Sequence, residues 1–121
     1  MNGECDPRDL PKRTKQFALR IIALYSSMSA GDEKWVMGRQ LLRSGTSVGA
    51  HYREAHRARS TAEFISKMEG ALQELDEAAY WMELLVESHT IPLQRLQPLM
   101  DEADELTAIF VASVKTAKDN S

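Results

Sequence analysis

Cysteine is all but missing from this chain: Cys5 is the only one in 121 residues. No internal disulfide is possible, and a reducing compartment suits such a composition. The opening segment MNGECDPRDLPKR is charged and lacks the apolar stretch of a secretory signal. No apolar run approaches the ~18–20 residues that a membrane span needs. A soluble, cytoplasmic protein with no membrane partner is therefore expected. Proline (4) and glycine (6) are scarce, and no stretch alternates apolar and polar residues as a half-buried strand does. What remains is an all-α chain, long enough to bury one core without a metal or a disulfide.

Catalytic patterns are missing too. His51 and His56 are five apart, so no His-Glu-x-x-His zinc site exists, and His51 with Glu54 has no second copy to complete a two-metal bundle site. Ser44 and Ser47 lack a Gly-x-Ser-x-Gly elbow, and Gly45 and Gly49 lack the Lys-Ser/Thr of a phosphate loop. No metal, cofactor or enzymatic activity is expected.

Helical periodicity is what the chain has in abundance. Phe17, Ile21, Leu24, Tyr25 and Met28 share one face, and Pro11 fits the first turn of that helix. Asp32 is a candidate N-cap for a second helix over residues 33–57. Its middle, Ser44-Gly45-Thr46-Ser47-Val48-Gly49-Ala50, is poor in helix formers. Such small residues permit a close helix crossing; the alternative is a break near Gly45–Gly49. Ser60-Thr61-Ala62-Glu63 matches a capping box and opens a third helix through Met68, Leu75 and Met82. A fourth carries Leu99, Ala103, Leu106, Phe110 and Val114. Because proline deep inside a helix removes a hydrogen bond, a turn over 92–97 and a helix from Pro98 are expected. These elements make residues 1–121 a single domain, an antiparallel up-down four-helix bundle with a flexible tail at 1–10.

Three clusters stand out. Gln40, Arg43, Ser47, His51 and Glu54 share one helical face. A hairpin turning at Ala58–Arg59 sets Arg43 against Glu74, Gln40 against Glu77 and Ser47 against Gly70, with Lys67 also in this polar network. The basic residues Arg53, His56, Arg57 and Arg59 gather at the same turn. They form either a solvated helix C-terminus or a phosphate-binding patch. Tyr80, Trp81, Leu84 and Leu85 lie in a segment apolar almost all round, as a helix buried on two faces would be, and are expected at an oligomer interface.

Charge is uneven along the chain. Residues 1–60 hold 11 Lys and Arg against 6 Asp and Glu, a surplus of 5 positive; residues 61–121 hold 4 against 12, a surplus of 8 negative. The basic and acidic halves can pair within one chain or between subunits.

From Gln40 to Ser88 the chain resembles the four-helix-bundle family first associated with proteins encoded in intervening sequences of bacterial 23S rRNA genes. The resemblance runs through Leu42-Arg43, Ser47-Val48-Gly49-Ala50, Tyr52-Arg53-Glu54-Ala55, Ser60, Glu63-Phe64-Ile65, Lys67, Ala71-Leu72, Glu74 and Tyr80-Trp81. It departs at His51, where that family has Asn. The resemblance implies a homopentameric ring without known enzymatic activity. A more distant likeness, to the accessory protein of diversity-generating retroelements, implies an accessory factor that binds RNA, DNA or a ribonucleoprotein.

Overall fold

The computed structural model describes Asp6 and residues 8–120. Four helices follow one another: α1 (Leu10–Ser27), α2 (Arg39–His56), α3 (Thr61–Glu87) and α4 (Leu93–Asp119), with a π-helical turn at Lys34–Gly38 leading into α2. Helix α2 packs against α1 and α3, α3 against α4, and α1 closes on α4. The fold is an all-α four-helix bundle.

Each end has a local cause. Asp9 accepts a hydrogen bond from the Lys12 N–H and Pro11 sits in the first turn, so α1 starts where an orphan donor is satisfied and a missing one does no harm. Of the tail expected at 1–10, residues 1–5 and 7 lie outside the described residues, while Leu10 is already helical. At α3, Ser60 Oγ accepts from the Glu63 N–H (3.0 Å), but the Glu63 carboxylate accepts from the Arg59 N–H (2.8 Å), one residue earlier than a standard capping box. At the far end His89 takes a left-handed conformation (φ 61°), and the Thr90 N–H donates to Leu85 O, closing a Schellman turn.

Two expectations need correction, and between them the close crossing expected at Gly45–Gly49 holds. Asp32 lies inside the first turn rather than capping it, because the Gly31 carbonyl already accepts from the Trp35 N–H. Helix α2 has no break at Gly45–Gly49; the glycines are there for contact. A Cβ on Gly45 would lie 2.3 Å from Ile21 Cδ1, and one on Gly49 3.5 Å from Thr14 Oγ1, so α1 occupies that space. Finally, α4 begins at Leu93 with Pro98 inside it. Pro98 deprives only the Gln94 carbonyl of a partner, and both residues are exposed, so water can replace that bond. Ile91, Leu96 and Leu99, all buried, hold the first turns of α4 in place.

The core draws on every helix. Phe17, Ile21 and Leu24 meet Leu41 and Val48, then Met68, Leu75 and Met82, then Leu106, Phe110 and Val114. Each fully buried side chain of this size contributes roughly 1.5–3 kcal/mol.

Candidate anion-binding groove and charged seam

Where α1 and α2 cross, small residues make a floor and cations make the rim. The groove, of about 600 Å³, is floored by Thr14, Ala18, Thr46, Gly49 and Ala50. Lys15 stands on the α1 wall, and Arg53, His56 and Arg57 on the α2 wall. Among the described residues, Lys15, Arg53 and Arg57 make no ion pair. Glu54 also borders the groove, but its carboxylate is engaged by Lys67 (3.6 Å) and lies 3.7 Å from His51. Tyr52 stacks on Phe110 (5.4 Å between centroids) and on His56 (6.0 Å), which orients the last turn of α2. Burial, reinforced by the charge of Asp9, pushes the Tyr52 phenol above its ordinary pKa and keeps it neutral. Part of the basic cluster serves the helix itself, since Arg53 and His56 sit in its last turn where cations offset the dipole.

The other side of α2 forms a seam with α3 in which charges are matched. Arg43 donates to Glu74 (3.4 Å), to Glu77, and through Nε to Gln40 (3.5 Å). His51 lies 3.8 Å from Glu74 on one side and 3.7 Å from Glu54 on the other, and Lys67 reaches back to Glu54. Ser47 turns inward along its own helix and donates to the Arg43 carbonyl. The nearest neighbour of Gly70 is therefore His51, whose Nδ1 would lie 3.0 Å from an added Cβ, and the facing register is shifted by up to one turn from Ser47–Gly70. The seam is partly solvated: the Arg43 side chain is 50% exposed and Glu74 17%.

Two sequence clusters come apart. Arg59 leaves the basic group, lining a shallow depression with Phe64, Ala117 and Asn120 instead; its N–H is tied to Glu63, which turns it toward the end of α4. Leu85 cannot serve an outside interface, because it is fully buried in this chain's own core. Its neighbours divide by helical phase: Tyr80 is exposed, Trp81 and Leu84 half-buried. Tyr80 meets Trp81 edge-on at 5.2 Å, and the buried Trp81 indole N–H finds no acceptor.

The most buried ion pair among the described residues escaped the sequence reading. Arg13 on α1 grips Glu102 on α4 with two bonds (Nε 2.9 Å, Nη2 2.7 Å) and reaches Glu105 at 2.8 Å. These bonds, led by Glu102, hold the guanidinium pKa above its ordinary value. Glu102 and Glu105, one turn apart, were its only sequence signal.

Among the described residues no His, Cys, Asp or Glu group is arranged to hold a metal, and no helix is long and apolar enough to cross a membrane. The family model for 23S rRNA-intervening sequence proteins matches residues 9–112. A solved structure of a protein of unknown function from the S23 ribosomal protein family of Bacteroides thetaiotaomicron is similar, with a TM-score of 0.82 and 36% identity. The match covers 88% of this chain and 98% of that one. Among curated proteins none matches.

Proposed function

The chain belongs to the 23S rRNA-intervening sequence protein family, and on that premise we propose that it is a non-enzymatic, homo-oligomeric binding module of the cytoplasm. The observation that carries this reading is a set of large apolar side chains left in water: Trp35 (51% exposed), Val36 (61%) and Tyr80 (53%). Trp35 and Val36 ride on the π-helical turn, which packs against α3, the helix that carries Tyr80. Aromatic and aliphatic groups concentrated in this way favour a protein partner, and a closed ring of identical chains covers them on every copy. Light scattering across a size-exclusion peak should give the mass of a homopentamer, the number that the family resemblance implies. A monomer that persists as concentration rises would overturn the reading.

A second reading, RNA or DNA binding, is favoured by the unpaired cations of the α1–α2 groove. Net charge is −3, so only a local field can attract a phosphate backbone. The descriptions of the family and of the solved relative refer to ribosomal RNA and ribosomal protein, which agrees with such a partner. Binding would be sequence-tolerant and would weaken steeply with salt. Fluorescence anisotropy with structured RNA, single-stranded DNA and duplex DNA tests it; failure to bind any of them at low salt removes it.

A further inference from the structure

The outer face of α3 carries exposed groups that no ion pair among the described residues engages. Tyr80 projects from it, 53% exposed, with Asp76 one turn before and Glu83 one turn after. All three border a shallow depression of about 480 Å³ with Gln73, Glu77 and Ala79. Glu77 is spent on Arg43. Asp76 and Glu83 are exposed and make no ion pair among the described residues. The surface is therefore an aromatic knob between two unpaired carboxylates, about 10 Å apart along the helix.

The α1–α2 groove is its complement in charge. Its floor of Ala18, Gly49 and Ala50 leaves room for a flat ring, and its walls carry Lys15, Arg53 and Arg57, which make no ion pair among the described residues. We propose that the Tyr80 face of α3 docks into the α1–α2 groove of a second copy of this chain, with Asp76 and Glu83 meeting the groove cations of the neighbour. The proposal rests on the self-association reading above and names its surfaces. Knob and groove are different patches, so when they face different neighbours the contact is head-to-tail, and it closes into a ring where its rotation permits. The acidic and basic surpluses along the chain acquire a role: each copy offers both. Aromatic burial supplies contact area, and the charges set the orientation and exclude like-charged faces.

A charge-swap experiment tests this on the full chain. Asp76→Lys with Glu83→Lys reverses the knob, and Arg53→Glu with Arg57→Glu reverses the groove; all four positions are exposed, and circular dichroism checks that each variant stays helical. Each variant alone should show at least roughly tenfold weaker self-association than the parent by sedimentation velocity. An equimolar mixture should reassociate into complexes in which the two variants alternate, a heterodimer at least, because the reversed knob of one fits the reversed groove of the other. Five copies cannot alternate around a closed ring, so the parental mass is not required. Tyr80→Ser should weaken assembly with charge unchanged. If the parent assembles but either reversed variant keeps the parental mass, or the mixture stays dissociated, the surfaces are wrong while self-association stands. If the parent is a monomer, both fail. If the groove variant loses RNA binding at unchanged mass, the groove belongs to nucleic acid and the docking proposal is overturned.

Discussion

On its α1 side, α2 presents Gly45 and Gly49, and the helices approach until Ile21 and Thr14 fill the space where side chains would be. On its α3 side it presents Gln40, Arg43, His51 and Glu54, which find Glu74, Glu77 and Lys67 across the gap. The first contact is steric and leaves its rim cations free; the second is electrostatic and uses its charges up. A charged residue is therefore read by whether its own chain supplies the counter-charge. Where it does, the residue serves the fold. Where it does not, the charge is free for something outside. The cation count alone cannot separate the cases, since both faces of one helix carry arginine.

The largest effect should come from an ion pair outside both contacts, Arg13 with Glu102, where pairing coincides with burial: the side chains are only 11% and 16% exposed. Replacing Arg13 by Met strands a largely buried carboxylate. A loss of about 2–4 kcal/mol is expected in urea unfolding, below the value for complete burial because some water reaches the pair. Arg13→Met with Glu102→Leu should recover part of that loss. Strict additivity of the two changes would show that the charges do not depend on one another.

Next comes the steric contact. Gly45→Ala adds a Cβ 2.3 Å from Ile21 Cδ1, and because Ile21 is fully buried its side chain must change rotamer within the packed core to make room. Overpacking of about 1–3 kcal/mol should outweigh the roughly 1 kcal/mol of helix propensity gained. Ile21→Val deletes the very atom in the way and by itself costs about 0.5–1.5 kcal/mol. The double variant should be more stable than the sum of its parts by at least about 1 kcal/mol. If Gly45→Ala raises the melting temperature on its own, the close approach is not what keeps glycine there.

The α2–α3 seam should yield less than its number of ion pairs suggests. With Arg43 half exposed, Arg43→Met is expected to cost no more than about 1 kcal/mol, and coupling to Glu74→Leu should be of the same order. Raising the salt concentration should shrink it further. A coupling of several kcal/mol would mean that the seam is shielded from water.

The helices and most of their core faces were legible because periodicity depends on residue type alone: Phe17, Ile21, Leu24, Met68, Leu75, Leu106 and Phe110 all point inward as their spacing requires. The register of α2 on α3 was legible to within a turn, since a long arginine can reach both Glu74 and Glu77. What stayed hidden depends on neighbours far along the chain. Pro98 sits inside α4 because Ile91, Leu96 and Leu99 anchor the turns around it. Leu85 and Tyr80 differ in burial only through helical phase against the rest of the bundle. Arg59 parted from Arg57 because the Glu63 carboxylate captured its N–H. Arg13 and Glu102, 89 residues apart, meet only once the bundle closes.

The smallest effect on stability should come from the groove cations, and that is where the comparison is sharpest. Arg53 and Arg57 are exposed, make no ion pair among the described residues and touch the fold mainly through their helix. Replacing both by Ser removes two charges from the end of α2, where they offset the dipole, and should change unfolding free energy by no more than about 1 kcal/mol. The same substitutions should weaken self-association or phosphate-backbone binding in a salt-dependent manner, because each depends on charges that no internal carboxylate neutralises. Arg43→Ser serves as the matched control on the other side of α2: it should alter stability slightly and leave both associations intact. If the groove pair and Arg43 instead behave alike in sedimentation and anisotropy, then internal pairing does not mark the division of labour on α2. The free cations would in that case be no more than the solvated end of a helix.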